Sequence, residues 1–290
     1  MYYALLAAAS AMFAAQFMFN QKFREECGSD LTASLLFTVY TSLFGFAAMF
    51  ASGGFRFRIS LFSLLMAAAC AIVNILYSYM SIKAFSRINL SVYSVFAMLG
   101  GMLLPFLYGV IFCAESLTVG KVLCCVMITA SLLLTVTGGS GGGGRFYYIS
   151  VFLLNGLTGV LSAIHQANPN AVGSVDFMAL NKAVTLIACG FVWILTGRRG
   201  IRINRRAGAC TVFAALLSSF GNLFTLISLK HIPASVQYPV ITGGVITLSL
   251  IISVIRHENV TFRDYLSAAG ACAASVLIIL QIRGYEKTCR

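Results

Sequence analysis

Long apolar runs alternate along the chain with short polar breaks that carry nearly all of its charge. The runs fall near residues 2 to 20, 31 to 52, 60 to 82, 88 to 113, 118 to 138, 146 to 165, 176 to 196, 208 to 229, 234 to 255 and 262 to 282. A hydrocarbon core about 30 Å thick is crossed by about 20 residues at about 1.5 Å each, so each run is about long enough to span it as a helix. A membrane β-barrel would show alternating segments of about ten residues instead. Breaks this short also leave no room for a soluble domain. The pattern predicts an all-α integral membrane protein with ten transmembrane helices.

The runs repeat. "GGMLLPFLYGVIFCAE" extends from Gly100 to Glu115 and "GGVITLSLIISVIRHE" from Gly243 to Glu258, so one offset of 143 residues relates both glycines and both glutamates. The segment leading into the first copy, "AFSRINLSVYSVFAMLGG", matches "ISLKHIPASVQYPVITGG" before the second. Fainter echoes agree: "YYALL" opens the first run and "YYISV" the sixth, Asn20-Gln21 parallels His165-Gln166, and "GGFRFR" parallels "GRRGIR". The expected organisation is two five-helix repeats, 1–137 and 146–290, joined by a Gly-rich connector at 138–145. Because five is odd, corresponding helices must cross the membrane in opposite directions, which makes the repeat inverted. Such a repeat places a site near the midplane and lets one half rock against the other.

Composition agrees: 59% of the 290 residues are hydrophobic and 10% charged, with a mean hydropathy of +0.91, against roughly 25% charged in a soluble domain. The net charge of +12 lies in the breaks, where Arg and Lys meet lipid headgroups. The bilayer is therefore the expected partner, and nucleic acid is not. The nine cysteines form no CxxC pair and no His stands at metal-ligand spacing, so no metal and no cofactor is expected. The first twenty residues lack a basic n-region and a small-residue cleavage site and read as a retained helix. The three histidines, His165, His231 and His257, fall at separate helix ends, which argues against an intramembrane enzyme. No ring of charge or filter sequence suggests a channel.

The ten-run arrangement, the small and polar residues after the third and eighth runs, and the glutamates in "AESLT" and "HENVT" resemble the EamA-type branch of the drug/metabolite transporter superfamily. The resemblance implies a secondary transporter of a small metabolite, working by exchange, facilitation or ion-coupled export. At "RHEN" the chain departs from the family, which carries a small residue before the glutamate. A bacterial plasma (inner) membrane is the expected location, and a homodimer is left open.

Several residues are candidates for the site or its motion. Gly100, Gly101, Gly243 and Gly244 let helices approach closely and could serve as flex points. Pro105 and Pro239 each free a backbone carbonyl, leaving either a static kink or a carbonyl facing a cavity. Glu115 and Glu258 read as interfacial caps or salt-bridge partners. Polar residues inside the runs serve as interhelical hydrogen-bond partners or pocket lining. Gln16 and Asn20, and Tyr238 and Thr242, lie four apart on one helix face, and Asn155 and Ser162 lie seven apart. Asn74, Tyr77, Tyr93, Asn222 and Gln237 complete the pocket candidates from the neutral residues.

Two charged candidates remain. Lys182 is the basic residue that lies deepest inside a run, about six residues in, where it either snorkels to headgroups or faces the cavity and favours an anionic substrate. None of the eight acidic residues falls near the midplane, so substrate is expected to move by exchange or down its own gradient, unless His165 carries protons. "GGSGGGG" lacks the following Lys-Ser or Lys-Thr of a phosphate loop and reads as a flexible connection. With a cytoplasmic N terminus, inward segments hold seven Arg or Lys and outward segments twelve. The positive-inside rule favours the reverse orientation, whereas the resemblance implies both termini inside.

Overall fold

The computed structural model describes residues 2–28, 31–85, 90–134, 145–195, 204–255, 257 and 262–288. They form helices α1 (Tyr2–Cys27), α2 (Leu31–Ser52), α3 (Leu61–Phe85), α4 (Leu90–Phe112), α5 (Val119–Leu134), α6 (Arg145–Ala167), α7 (Ser174–Leu195), α8 (Arg205–Leu229), α9 (Ala234–Ile255) and α10 (Phe262–Thr288). Glu258, the connector glycines and most of the basic segment after α7 lie outside the described residues.

Six helices, α1, α2, α6, α7, α8 and α9, are long and apolar enough to cross a membrane; described apolar stretches in the other four are shorter. Large apolar side chains point outward, among them Ile187 on α7, 72% exposed, and Phe191 near it. A patchwork of this kind is costly in water and suits hydrocarbon, whereas helices satisfy their own backbone groups there. The molecule is a multi-pass helical membrane protein.

The helix ends follow from local chemistry. Gly28, at φ +80°, closes α1 by donating its N–H to the Arg24 carbonyl at 2.9 Å, and Gly54, at φ +67°, lets the Phe55 N–H return to Phe50 at the end of α2. Asn204 caps α8, accepting from the Ala207 N–H at 2.7 Å while its amide donates to Glu26 at 2.6 Å. α1 therefore runs past Asn20 and carries Arg24 and Glu26 in its last turns.

Glu115 caps a helix other than its own. Its carboxylate folds back over Gly109 of α4 and accepts the N–H groups of Ala234 and Ser235, at 2.9 and 3.0 Å, together with the Ser235 hydroxyl. An anion on the unsatisfied donors at the start of α9 is favourable. Lys121 beside it is buried and donates to the Ser116 carbonyl at 2.8 Å.

Close helix contacts run through glycines. A Cβ on Gly100 would collide with the backbone of Phe152, and one on Gly156 would sit 2.5 Å from the Gly100 carbonyl oxygen. A Cβ on Gly159 would meet Pro105 at 2.5 Å, so α4 and α6 lie side by side and parallel. α1 is parallel to α9, with Tyr2 stacked on His231 at 3.9 Å and Ser10 against Gly244. It is antiparallel to α8, with Phe19 stacked on Phe213 and Phe13 against Gly221. Gly243 packs on Ala271 and Ser275 of α10. Two apolar cores result: one joins α1, α4, α5, α9 and α10 around Leu6, Met102 and Val236, and the other joins α2, α3, α7 and α8 around Met49, Cys70 and Phe177.

Candidate functional site

Between the two cores lies a cavity of about 500 Å³. Its wall draws on α1 to α4 and α6 to α9, while α5 and α10 contribute no described residue. At one end it passes Arg24 and Gly28, where α1 stops; at the other it ends against Phe177, Leu226 and Tyr238. Tyr238 ties this deep end together, its hydroxyl donating to the Gly159 carbonyl at 3.0 Å.

The spacings that singled out residues in the sequence gather on this wall. Gln16 and Asn20 of α1, Asn155 and Ser162 of α6, and Tyr238 and Thr242 of α9 all line it, as do Asn74, Tyr77, Lys182 and Asn222. The side chain of Tyr93 lies outside the described residues. Gly101 reaches the wall beside Asn155, whose amide donates to the Ala97 carbonyl at 2.7 Å. Gly100, Gly243, Gly244, Pro105 and Pro239 do not line it; the first four sit in helix seams.

Two expected site residues lie elsewhere. Gln237 is fully buried behind the wall and donates to the Thr225 carbonyl at 2.9 Å. His165 is also fully buried, with Nε2 2.9 Å from the Ser63 hydroxyl and Nδ1 3.2 Å from the Gln166 amide. Its ring stacks on Phe177 at 3.5 Å and on Phe62 at 5.9 Å. Both ring nitrogens have partners and both faces are covered, so His165 is a packed core residue that does not touch the cavity.

Lys182 is deeper than the sequence suggests. α7 begins at Ser174, so the lysine lies eight residues in, about 12 Å at about 1.5 Å per residue. That is close to the middle of the helix and farther than a lysine stem reaches toward headgroups. The stem instead crosses α2 at Gly45, where a Cβ would sit 3.2 Å from its Cδ and Cε and 2.5 Å from Ser219 Oγ. Asn181 and Thr185 share this face of α7, linked at 3.3 Å, while Ile187 and Phe191 point outward.

A stripe of hydroxyls on α2 escaped the sequence reading. Ser34, Thr38, Thr41 and Ser42 line the cavity at spacings of four, seven and eight residues, the signature of one helix face. Thr38 and Thr41 each donate to the carbonyl four residues back, at 2.8 Å. Thr158, Ser162 and Thr225 on the facing helices do the same. Among the described residues no group of three or more His, Cys, Asp or Glu could hold a metal ion.

One solved crystal structure, described only as that of a protein, superimposes with a TM-score of 0.79 over 98% of this chain and 99% of its own. At 16% identity the likeness is one of fold. No family model matches the chain, and no curated protein does.

Proposed function

We propose that the protein is a secondary transporter that carries a small metabolite across the membrane by alternating access, and that its ten helices are two inverted five-helix repeats of the EamA type. The observation that carries this reading is a cavity with amide and hydroxyl side chains on its wall, enclosed by the first four helices of each half, that extends to one end of the bundle. Helix pairing follows the proposed repeat. α1 packs on α8 as α6 packs on α3, α1 on α9 as α6 on α4, and α2 on α8 as α7 on α3. α2 with α7, α4 with α9 and α5 with α10 pair each helix with its own counterpart.

Direction supports the inversion. α1 is parallel to α9 and α6 to α4, while Glu115 at the end of α4 caps the start of α9, so those two helices run oppositely. The seams correspond as well: Gly244 meets Ser10 where Gly101 meets Asn155, pairs related by the repeat. An inverted pair can open toward either face by nearly equivalent motions.

No Asp or Glu is among the described residues of the wall. Exchange or facilitated movement is therefore the expected mode, since proton-driven carriers use a buried carboxylate as relay. The test is counterflow in proteoliposomes. Preloaded substrate should accelerate uptake of labelled substrate, with flux that saturates and persists when the proton gradient alone is collapsed. Flux linear in concentration would indicate a pore, and loss with the proton gradient would overturn the coupling.

A further inference from the structure

The charge of the cavity is one-sided. Its described wall holds no carboxylate, yet Lys182 sits on it near the middle of α7. Lys182 has no hydrogen bond or ion pair with any described residue. Its stem lies in a slot left by Gly45, and the Ser219 hydroxyl at the same slot is buried without a described partner. An isolated ammonium inside an apolar bundle is costly, and intramembrane cations of this kind normally face a counter-charge. The described wall supplies no such counter-charge, which leaves the place beside the ammonium open to an anionic group from outside the chain.

The hydroxyls add a second constraint. Thr38, Thr41, Thr158, Ser162 and Thr225 each donate their proton to a carbonyl of their own helix. With the proton so used, each of these oxygens on the wall is left to act as an acceptor. Phe13, Phe37 and Met98 supply apolar wall between them.

We propose that the transported molecule is a small organic anion whose negative group pairs with the Lys182 ammonium and whose hydroxyl or N–H groups donate to these side-chain oxygens. This rests on the transporter reading. Amines and free amino acids fit poorly, because their ammonium would need an acidic partner on the wall.

The test uses the purified full chain in nanodiscs. Melting temperature is followed with glycolate, mandelate and gluconate, each beside its neutral amide, and with 2-amino-1-phenylethanol as the cation. Bound ligand raises melting by mass action. At least one acid is expected to stabilise while its amide does not, with Lys182→Met weakening that acid about tenfold or more and Lys182→Arg retaining more of the affinity. The proposal is overturned if no acid stabilises, if an amide matches its acid, if the amine binds in preference, or if Lys182→Met leaves the acid's affinity unchanged. Should Lys182→Met fail to fold, the acid and amide comparison in the native chain decides. Counterflow separates the two readings: an acid that binds without counterflow keeps the anion site and rejects transport, whereas counterflow of an amide or amine but not of its acid keeps transport and rejects the anion.

Discussion

Gly100 and Gly190 are both helical glycines, and only their neighbours tell them apart. A Cβ on Gly100 would run into the backbone of Phe152, whereas one on Gly190 meets nothing within 4 Å. Backbone cannot move aside as a flexible side chain can. Gly100→Ala is therefore expected to force α4 and α6 apart and to lower stability by about 1–3 kcal/mol, the cost of overpacking. Gly190→Ala should leave stability unchanged or raise it by up to about 1 kcal/mol through helix propensity. Thermal melts of both variants check the pair, and equal shifts would contradict the packing role of Gly100. The sequence marks Gly100 through its repeat at Gly243, but the two copies do different work: Gly243 packs on α10, while Gly100 packs on α6.

At the scale of elements, α4 and α9 are joined by Glu115. Its run simply stops at this residue, so the sequence identifies a cap but not what is capped. The turn at Ala114, with φ +51°, and the open face of Gly109 let the carboxylate reach the start of α9. Three donors depend on it. Glu115→Ala is expected to destabilise by about 1–3 kcal/mol, the range for losing a helix cap with charge-assisted hydrogen bonds, and Glu115→Gln by less. Melting of the two variants in detergent, at matched pH, measures this order; Gln no better than Ala would argue against the cap. Helix faces were legible where strong polar residues recur at four or seven, as for Gln16 with Asn20. The α2 hydroxyl stripe has the same periodicity, yet Ser and Thr are frequent in membrane helices, so their spacing alone stands out little.

For the whole molecule, the two ends of the bundle differ. One end is closed by the Tyr2–His231 stack, the Glu115 cap and the packed His165. The cavity reaches the other end, where α1 stops; with ten crossings, the sequence would put twelve Arg or Lys on that side and seven on the closed side. The positive-inside rule places the richer end in the cytoplasm. A membrane-impermeant maleimide is then expected to label Cys113, exposed just beyond α4 at the closed end, from outside only, with the signal lost in Cys113→Ser. Labelling from the cytoplasm would reverse the orientation and agree with the family resemblance.

The sequence by itself determined the helical membrane class, most of the helix boundaries to within a few residues, though not the ends of α1 and α10, and many of the polar positions facing inward. These are local properties: run length is set by bilayer thickness, and side-chain direction by helical periodicity. Only the tertiary structure decided that His165 and Gln237 lie behind the wall while Lys182 lies on it. Periodicity assigns a residue to a helix face but does not say which neighbour covers that face. Phe62 and Phe177 close over His165, whereas Gly45 leaves Lys182 a slot to the cavity. Those neighbours are distant in the chain, and packing alone brings them together.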